Sequence, residues 1–191
     1  MKTLQSETTN LGQQSKPQSP YSWLSCIACV AKGNNGIGYG GQLCYVLQGD
    51  LRHFREITMG CPIIMGSKTF KSLPGGALPG RLNIVISKQD PKEFKWCTVF
   101  PSLTEALNFL IKMKIQTKAF IVGGEQVYKE ALPYVSELYI TEVDDTPSAD
   151  RFFPNYYNGE WKEEKRDTNI RDFNTGLRYD FIKFKRVPIL Q

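Results

Sequence analysis

The sequence predicts an α/β domain whose mostly parallel sheet finishes in an antiparallel pair of strands. Three observations carry that expectation. Apolar strand-like runs alternate with helical stretches from Leu24 onward, the pattern of strands joined by crossover helices. Residues 119–128, Ala-Phe-Ile-Val-Gly-Gly-Glu-Gln-Val-Tyr, form an apolar run that turns through two glycines directly into a helix. The last two strand-like stretches, Glu160–Arg166 and Leu177–Lys185, have no helix between them and can pair across a loop.

The elements follow in order. Residues 1–20 are rich in Gln, Ser, Thr, Asn and Pro and read as a disordered tail, which leaves one domain over residues 21–188. Leu24–Ala31 reads as a buried strand and Gly33–Gly41 as a glycine-rich loop. Leu51, Phe54 and Ile57 have helical spacing, so Gly49–Thr58 is a helix. Pro62–Met65 is a short strand, and Gly66 leads into a helix over Ser67–Leu73. Leu82–Ser87 and Cys97–Phe100 are further strands. Ser102 caps a helix running to Met113, Glu105 completes a capping box, and Leu103, Ala106, Leu107 and Leu110 form its buried face. The strand into Gly123, a helix over Glu125–Leu132 and a strand over Glu137–Val143 come next.

Bulk properties exclude several classes. At 191 residues and 41% hydrophobic content, the chain suits a single globular domain. Its net charge of +5 is scattered rather than gathered into a tract, which argues against nucleic-acid binding. The start of the sequence lacks the apolar core of a signal peptide, and no apolar stretch approaches membrane-spanning length. A cytoplasmic monomer with a small-molecule partner is expected. The five cysteines form no framework: Cys26 and Cys29 lie three apart in a strand, so they face opposite sides and cannot share a metal.

Two features point to chemistry. Gly123 and Gly124 lack a Cβ, so the backbone can approach a bulky anion, and the following helix aims its unpaired N–H groups at the same spot. This reads as a phosphate cradle, although Gly-Gly between strand and helix is also a common turn. Asp50 opens the helix 49–58 among Leu47, Leu51, Phe54 and Ile57. Two readings stand for it: a helix-start carboxylate that satisfies backbone N–H groups, or a proton source whose pKa is raised by its apolar cleft. His53, the only histidine, has no serine turn to serve and is placed on the outer face of its helix.

The order of the pieces is the strongest signal. A strand, a glycine-rich loop, an Asp-Leu-x-x-Phe helix, I-I-M-G-S-K-T-F, L-P-G-R-x-N-I-V-I-S and I-V-G-G-x-x-V-Y follow one another in register from about Leu24 to Arg186. This series resembles the dihydrofolate reductase family. The resemblance implies an eight-stranded mixed sheet with flanking helices, and reduction of dihydrofolate to tetrahydrofolate with NADPH as cofactor. It implies that Asp50 binds the pterin and assists protonation of N5, with Thr141 hydrogen-bonded to it. The substrate would be lined by Ile27, Ala28, Leu51, Phe54, Leu73, Leu78 and Val122, with Arg81 clamping its α-carboxylate. For the cofactor it implies Gly66, Ser67, Lys68 and Thr69 at one helix start, and Ile86, Ser87 and Lys88 at a strand end receiving the 2′-phosphate. Val122, Gly123, Gly124, Glu125, Gln126, Val127 and Tyr128 would cradle the pyrophosphate, with a cis Gly123–Gly124 peptide. Ala31, Ile37 and Gly38 would belong to a loop closing over the nicotinamide, with Asp150 in a partner loop.

The sequence departs from the family at Leu43-Cys44-Tyr45, where Leu-Pro-Trp is usual. Tyr45 takes the place of a tryptophan that holds an active-site water, so its phenol is a candidate catalytic group. Two other readings compete: the related pyrimidine reductase of riboflavin biosynthesis, which shares the Gly-Gly cradle, and a non-catalytic nucleotide-binding relative.

Overall fold

The computed structural model describes residues 21–187. The tail expected over residues 1–20, and residue 188 at the end of the expected domain, lie outside the described residues. The first half of the chain forms β1 (Tyr21–Ala31), β2 (Gly36–Tyr39), β3 (Gln42–Leu43), α1 (Gln48–Thr58), β4 (Ile63–Gly66), α2 (Ser67–Ser72) and β5 (Asn83–Ile86). The second half forms β6 (Thr98–Phe100), α3 (Leu103–Lys112), β7 (Ala119–Gly123), α4 (Glu125–Ala131) and β8 (Val135–Val143). It closes with β9 (Arg151–Phe152), β10 (Trp161–Arg171) and β11 (Arg178–Arg186).

Eight strands make one sheet in the order β10-β11-β8-β1-β7-β4-β5-β6. Every pair from β8 to β6 is parallel, while β11 runs antiparallel to both β8 and β10. The expected architecture is therefore present. The central strands are apolar on both faces because helices cover both, as a parallel sheet requires. On one side Leu103, Ala106, Leu107 and Leu110 of α3, with Val127, Tyr128 and Ala131 of α4, pack against Leu24, Cys26, Ile64, Ile84 and Ile121. On the other, Ile27, Ile63, Met65, Val85 and Phe120 meet Phe70, Phe94, Phe54 and Ile57.

Local chemistry sets the helix ends. Ser102 accepts the Glu105 N–H at 3.3 Å, as expected of a cap. The returning half differs from a full capping box, since the Glu105 carboxylate accepts from the Ser102 hydroxyl rather than from a backbone N–H. The Gly33–Gly41 segment, expected to be loop, contains β2, which pairs with β3 and β9 in a separate three-stranded sheet. Its glycines show no apolar alternation, so nothing marked it as a strand. His53 is also not on a free outer face: its ring stacks on Phe181 of β11 at 3.8 Å.

Candidate active site

Ligands of parallel α/β sheets bind beyond the carboxyl ends of the strands, where loops and helix starts converge. Here Gly66 ends β4, Ile86 ends β5, Gly123 ends β7, and Thr141 lies two residues from the end of β8. A cavity of about 650 Å³ opens at these ends.

One half of the cavity is built for an anion. Gly66, Ser67, Lys68 and Thr69 form its wall from α2, and Gly123, Gly124, Glu125, Gln126, Val127 and Tyr128 from β7 and α4. Both helices open on a glycine with no side-chain cap, which leaves N–H donors facing the space. The Gly123–Gly124 peptide is cis, and Gly123 has φ +125°. A Cβ on Gly124 would lie 3.1 Å from Thr69 Oγ1, and one on Gly66 would lie 3.3 Å from Val127. A side chain at either position would crowd that neighbour, and the uncapped N–H donors suit a pyrophosphate. Ile86 lines the cavity, whereas Ser87 and Lys88 lie beyond its wall. The Ser87 hydroxyl is turned to its own turn, accepting the Gln89 N–H at 3.1 Å.

The middle of the cavity is walled by Ala28, Ile37, Gly38 and Val122. The end of β2 that carries Gly38 is tied to Asp150, whose N–H donates to Gly38 O (3.0 Å) and whose carboxylate accepts the Gly40 N–H (3.2 Å). Cys29 also lines this region and was missed by the sequence reading. Strand alternation from Ile27 held the signal, because residues two apart share a face.

The acid stands beside the cavity, next to Cys29 of its wall. Thr141 donates its hydroxyl to Asp50 Oδ1 at 2.6 Å across 91 residues. Burial pushes the Asp50 carboxyl above its ordinary pKa, and the Thr141 hydrogen bond partly opposes this by favouring the anion. Asp50 is therefore not a cap for its own helix start. Its carboxylate is committed to β8.

Phe54, Leu73, Leu78 and Val122 pack around Ile27 in one apolar cluster, while Leu51 is exposed on α1. Arg81 stands over the Phe54 ring at 5.8 Å. Its Nη1 donates to Thr58 Oγ1 (3.0 Å) and its Nε to Pro79 O (3.1 Å), which fixes the guanidinium at the end of α1.

Two expected residues stand elsewhere. Ala31 is fully buried with Tyr45, Leu47, Val143 and Tyr179, past the cavity's edge on the Cys29 face of β1. Tyr45 belongs to that same cluster, and its hydroxyl donates to Asp145 at 3.2 Å. A phenol is shorter than an indole, and a carboxylate on the neighbouring loop captures it. Its hydroxyl therefore serves the loop after β8 rather than Asp50.

Fold and cavity together define an α/β protein with a glycine cradle suited to a phosphorylated ligand and a partly buried acid nearby. The sequence pattern of the dihydrofolate reductase family matches residues 23–186. The chain is 38% identical over 163 residues to a dihydrofolate reductase type 3 of Salmonella typhimurium, covering 85% of this chain and 98% of the relative. It is 39% identical to a dihydrofolate reductase of Neisseria meningitidis serogroup B, with the same coverage. A solved dihydrofolate reductase from Enterococcus faecalis, complexed with NADP(H) and RAB-propyl, superposes with a TM-score of 0.78 at 27% identity. That match covers 86% of this chain and 96% of the other. The chain belongs to the dihydrofolate reductase family.

Proposed function

We propose that this chain reduces dihydrofolate to tetrahydrofolate with NADPH, supplying one-carbon metabolism as a cytoplasmic monomer whose reductase unit spans residues 21–188. The observation that carries the reading is the Asp50–Thr141 pair, at 2.6 Å, set beside Cys29 of the wall of the cavity that holds the glycine cradle. Among the described residues no helix is long and apolar enough to cross a membrane. No nucleic-acid partner is invoked.

NADPH, when bound, supplies the hydride that reaches pterin C6. The chain's own groups bind, orient and protonate. Asp50 retains a proton at pH values where an exposed aspartate has lost its own, because burial penalises its charge. It holds the pterin's amino group and ring nitrogen and assists protonation at N5, with Thr141 fixing its rotamer. Ile27, Ala28, Phe54, Leu73, Leu78 and Val122 exclude water from the rings, with Leu51 at the mouth. Arg81 grips the α-carboxylate, a task suited to a planar guanidinium already anchored on two sides.

On the cofactor side, the open N–H groups of α2 and α4 hold the phosphates. Lys68, which lines the cavity together with Arg151, meets the 2′-phosphate. Ser87 and Lys88 are assigned to the same phosphate from the strand end. Ile37 and Gly38 cover the nicotinamide.

The test is direct. Purified chain with NADPH should lose the reduced-nicotinamide absorbance only when dihydrofolate is added. Binding of both compounds without that loss would make the chain a non-catalytic relative.

A further inference from the structure

The helix that carries Asp50 begins without a cap of its own, since Leu47 offers no side-chain acceptor. The acceptor arrives from 124 residues away: Asp172, in the loop between β10 and β11, takes the Gln48 N–H on Oδ2 at 3.3 Å. Its other oxygen shapes the loop, accepting from the Asn174 N–H (3.1 Å), the Thr175 N–H (2.8 Å) and the Thr175 hydroxyl (2.9 Å). The Asp172 backbone is pinned too, donating to Leu177 O and accepting from Gly176 N–H, both at 2.9 Å. Asp172 is 4% exposed. The Thr175 donors hold its carboxyl below the usual range, so it is an anion at neutral pH. The same turn of α1 lies directly on β11, where a Cβ at Gly49 would come 2.0 Å from the Tyr179 hydroxyl.

We infer that Asp172 is a positioning residue for the reduction, a remote helix cap that seats the first turn of α1 and sets the field at the Asp50 carboxyl. The inference rests on the role proposed for Asp50. An anion at a helix start offsets the positive end of the helix dipole, which acts within the first turn. Asp50 is the third residue of that turn. The groups facing it are Cys29 from β1, Thr141 from β8, Tyr128 from α4 and Tyr179 from β11. Burial keeps that thiol and both phenols protonated. Among the described residues the charges left to act are Asp172 and, on α1 itself, Arg52, while burial favours the neutral form of His53. Removing the Asp172 charge leaves the positive helix end uncompensated, so Asp50 gives up its proton at lower pH.

Asp172→Asn keeps an acceptor for the hairpin turn and presents an amide to the Gln48 N–H, so the cap is lost while the loop persists. Two readouts are needed. In ligand-free protein, amide hydrogen exchange in the first turn of α1 should quicken by roughly 2- to 30-fold, the range of a lost helix cap. In the enzyme assay, the fall of dihydrofolate reduction at alkaline pH should move to lower pH by roughly a few tenths of a unit. Gln48→Pro deletes the N–H while suiting the first helical position, and in that background Asp172→Asn should change exchange far less. Unchanged exchange overturns the inference, even if thermal stability falls. Faster exchange with an unmoved pH dependence overturns it as well, leaving only a structural cap. Failure of the wild-type chain to reduce dihydrofolate refutes the proposed function, a result that exchange in ligand-free protein cannot mimic.

Discussion

Replacing Thr141 with valine tests the geometry of the acid most sharply. Thr141 is 2% exposed in the middle of the sheet, and valine nearly matches its shape, so the change removes a hydroxyl and little else. The lost bond is the 2.6 Å donation to Asp50 Oδ1. A hydrogen bond to a charged acceptor contributes about 1.5–3 kcal/mol and one to a neutral acceptor about 0.5–1.5 kcal/mol. The hydroxyl therefore favours the Asp50 anion over the protonated form by about 1 kcal/mol, equivalent to about 0.7 pH unit. It acts against burial, which pushes the carboxyl up. The sign follows: without Thr141, Asp50 holds its proton to higher pH, and the alkaline fall of the rate moves up by about 0.7 unit. The plateau at lower pH should drop several-fold, because the carboxyl loses the contact that orients it. Single-turnover reduction of dihydrofolate across pH reads both effects. A profile that stays in place, or moves to lower pH, refutes the pairing as a functional one.

Arg81→Leu should weaken dihydrofolate binding by about 2–3 kcal/mol, the low end for a truncated ion pair because the guanidinium is only half-buried, or roughly 30- to 150-fold in Kd. NADPH affinity should hold, and an equal loss of both ligands would point to damage of the fold. Gly49→Ala should destabilise by about 1–3 kcal/mol, since the new Cβ meets the Tyr179 hydroxyl at 2.0 Å. Adding Tyr179→Phe removes that atom and leaves Cζ at 3.3 Å, so thermal unfolding of the double variant should recover most of the loss. Lys68→Ala should weaken NADPH by about tenfold while leaving NADH nearly unchanged, and the wild-type preference should shrink as salt rises. Equal Kd changes for the two cofactors would remove Lys68 from the 2′-phosphate site.

Much of this site was legible because its signals are local. Leu51, Phe54 and Ile57 announce α1, and the two glycines at 123–124 announce the cradle without any knowledge of the sheet. The Thr141 partnership was not legible from residue spacing. It exists because β8 lies between β1 and β11 in register, which puts Cys29, Thr141 and Phe181 side by side under α1. Only the family resemblance named it in advance. Ala31 and Tyr45 were misplaced because membership of a loop near a ligand does not fix where a side chain points. Both fold into the Leu47–Val143–Tyr179 cluster instead. His53 was misjudged for a related reason, since an apolar partner on β11 drew its ring inward. The small β3-β2-β9 sheet left no trace, because two-residue strands and glycines carry no alternation. Asp172 was invisible as well: a carboxylate in a turn has no sequence signal for the helix it caps.

The central claim is that a partly buried carboxyl group at position 50 assists protonation of the substrate. Asp50→Asn keeps size and hydrogen bonding while removing the titratable proton, so single-turnover reduction of dihydrofolate by wild type and variant, followed from acid to neutral pH, tests it most directly. The variant should be slower by roughly 10²–10⁴ at neutral pH, with the deficit shrinking as pH falls and solvent protonates the substrate. Near-normal turnover at neutral pH, or a deficit of constant size across the range, would contradict the account.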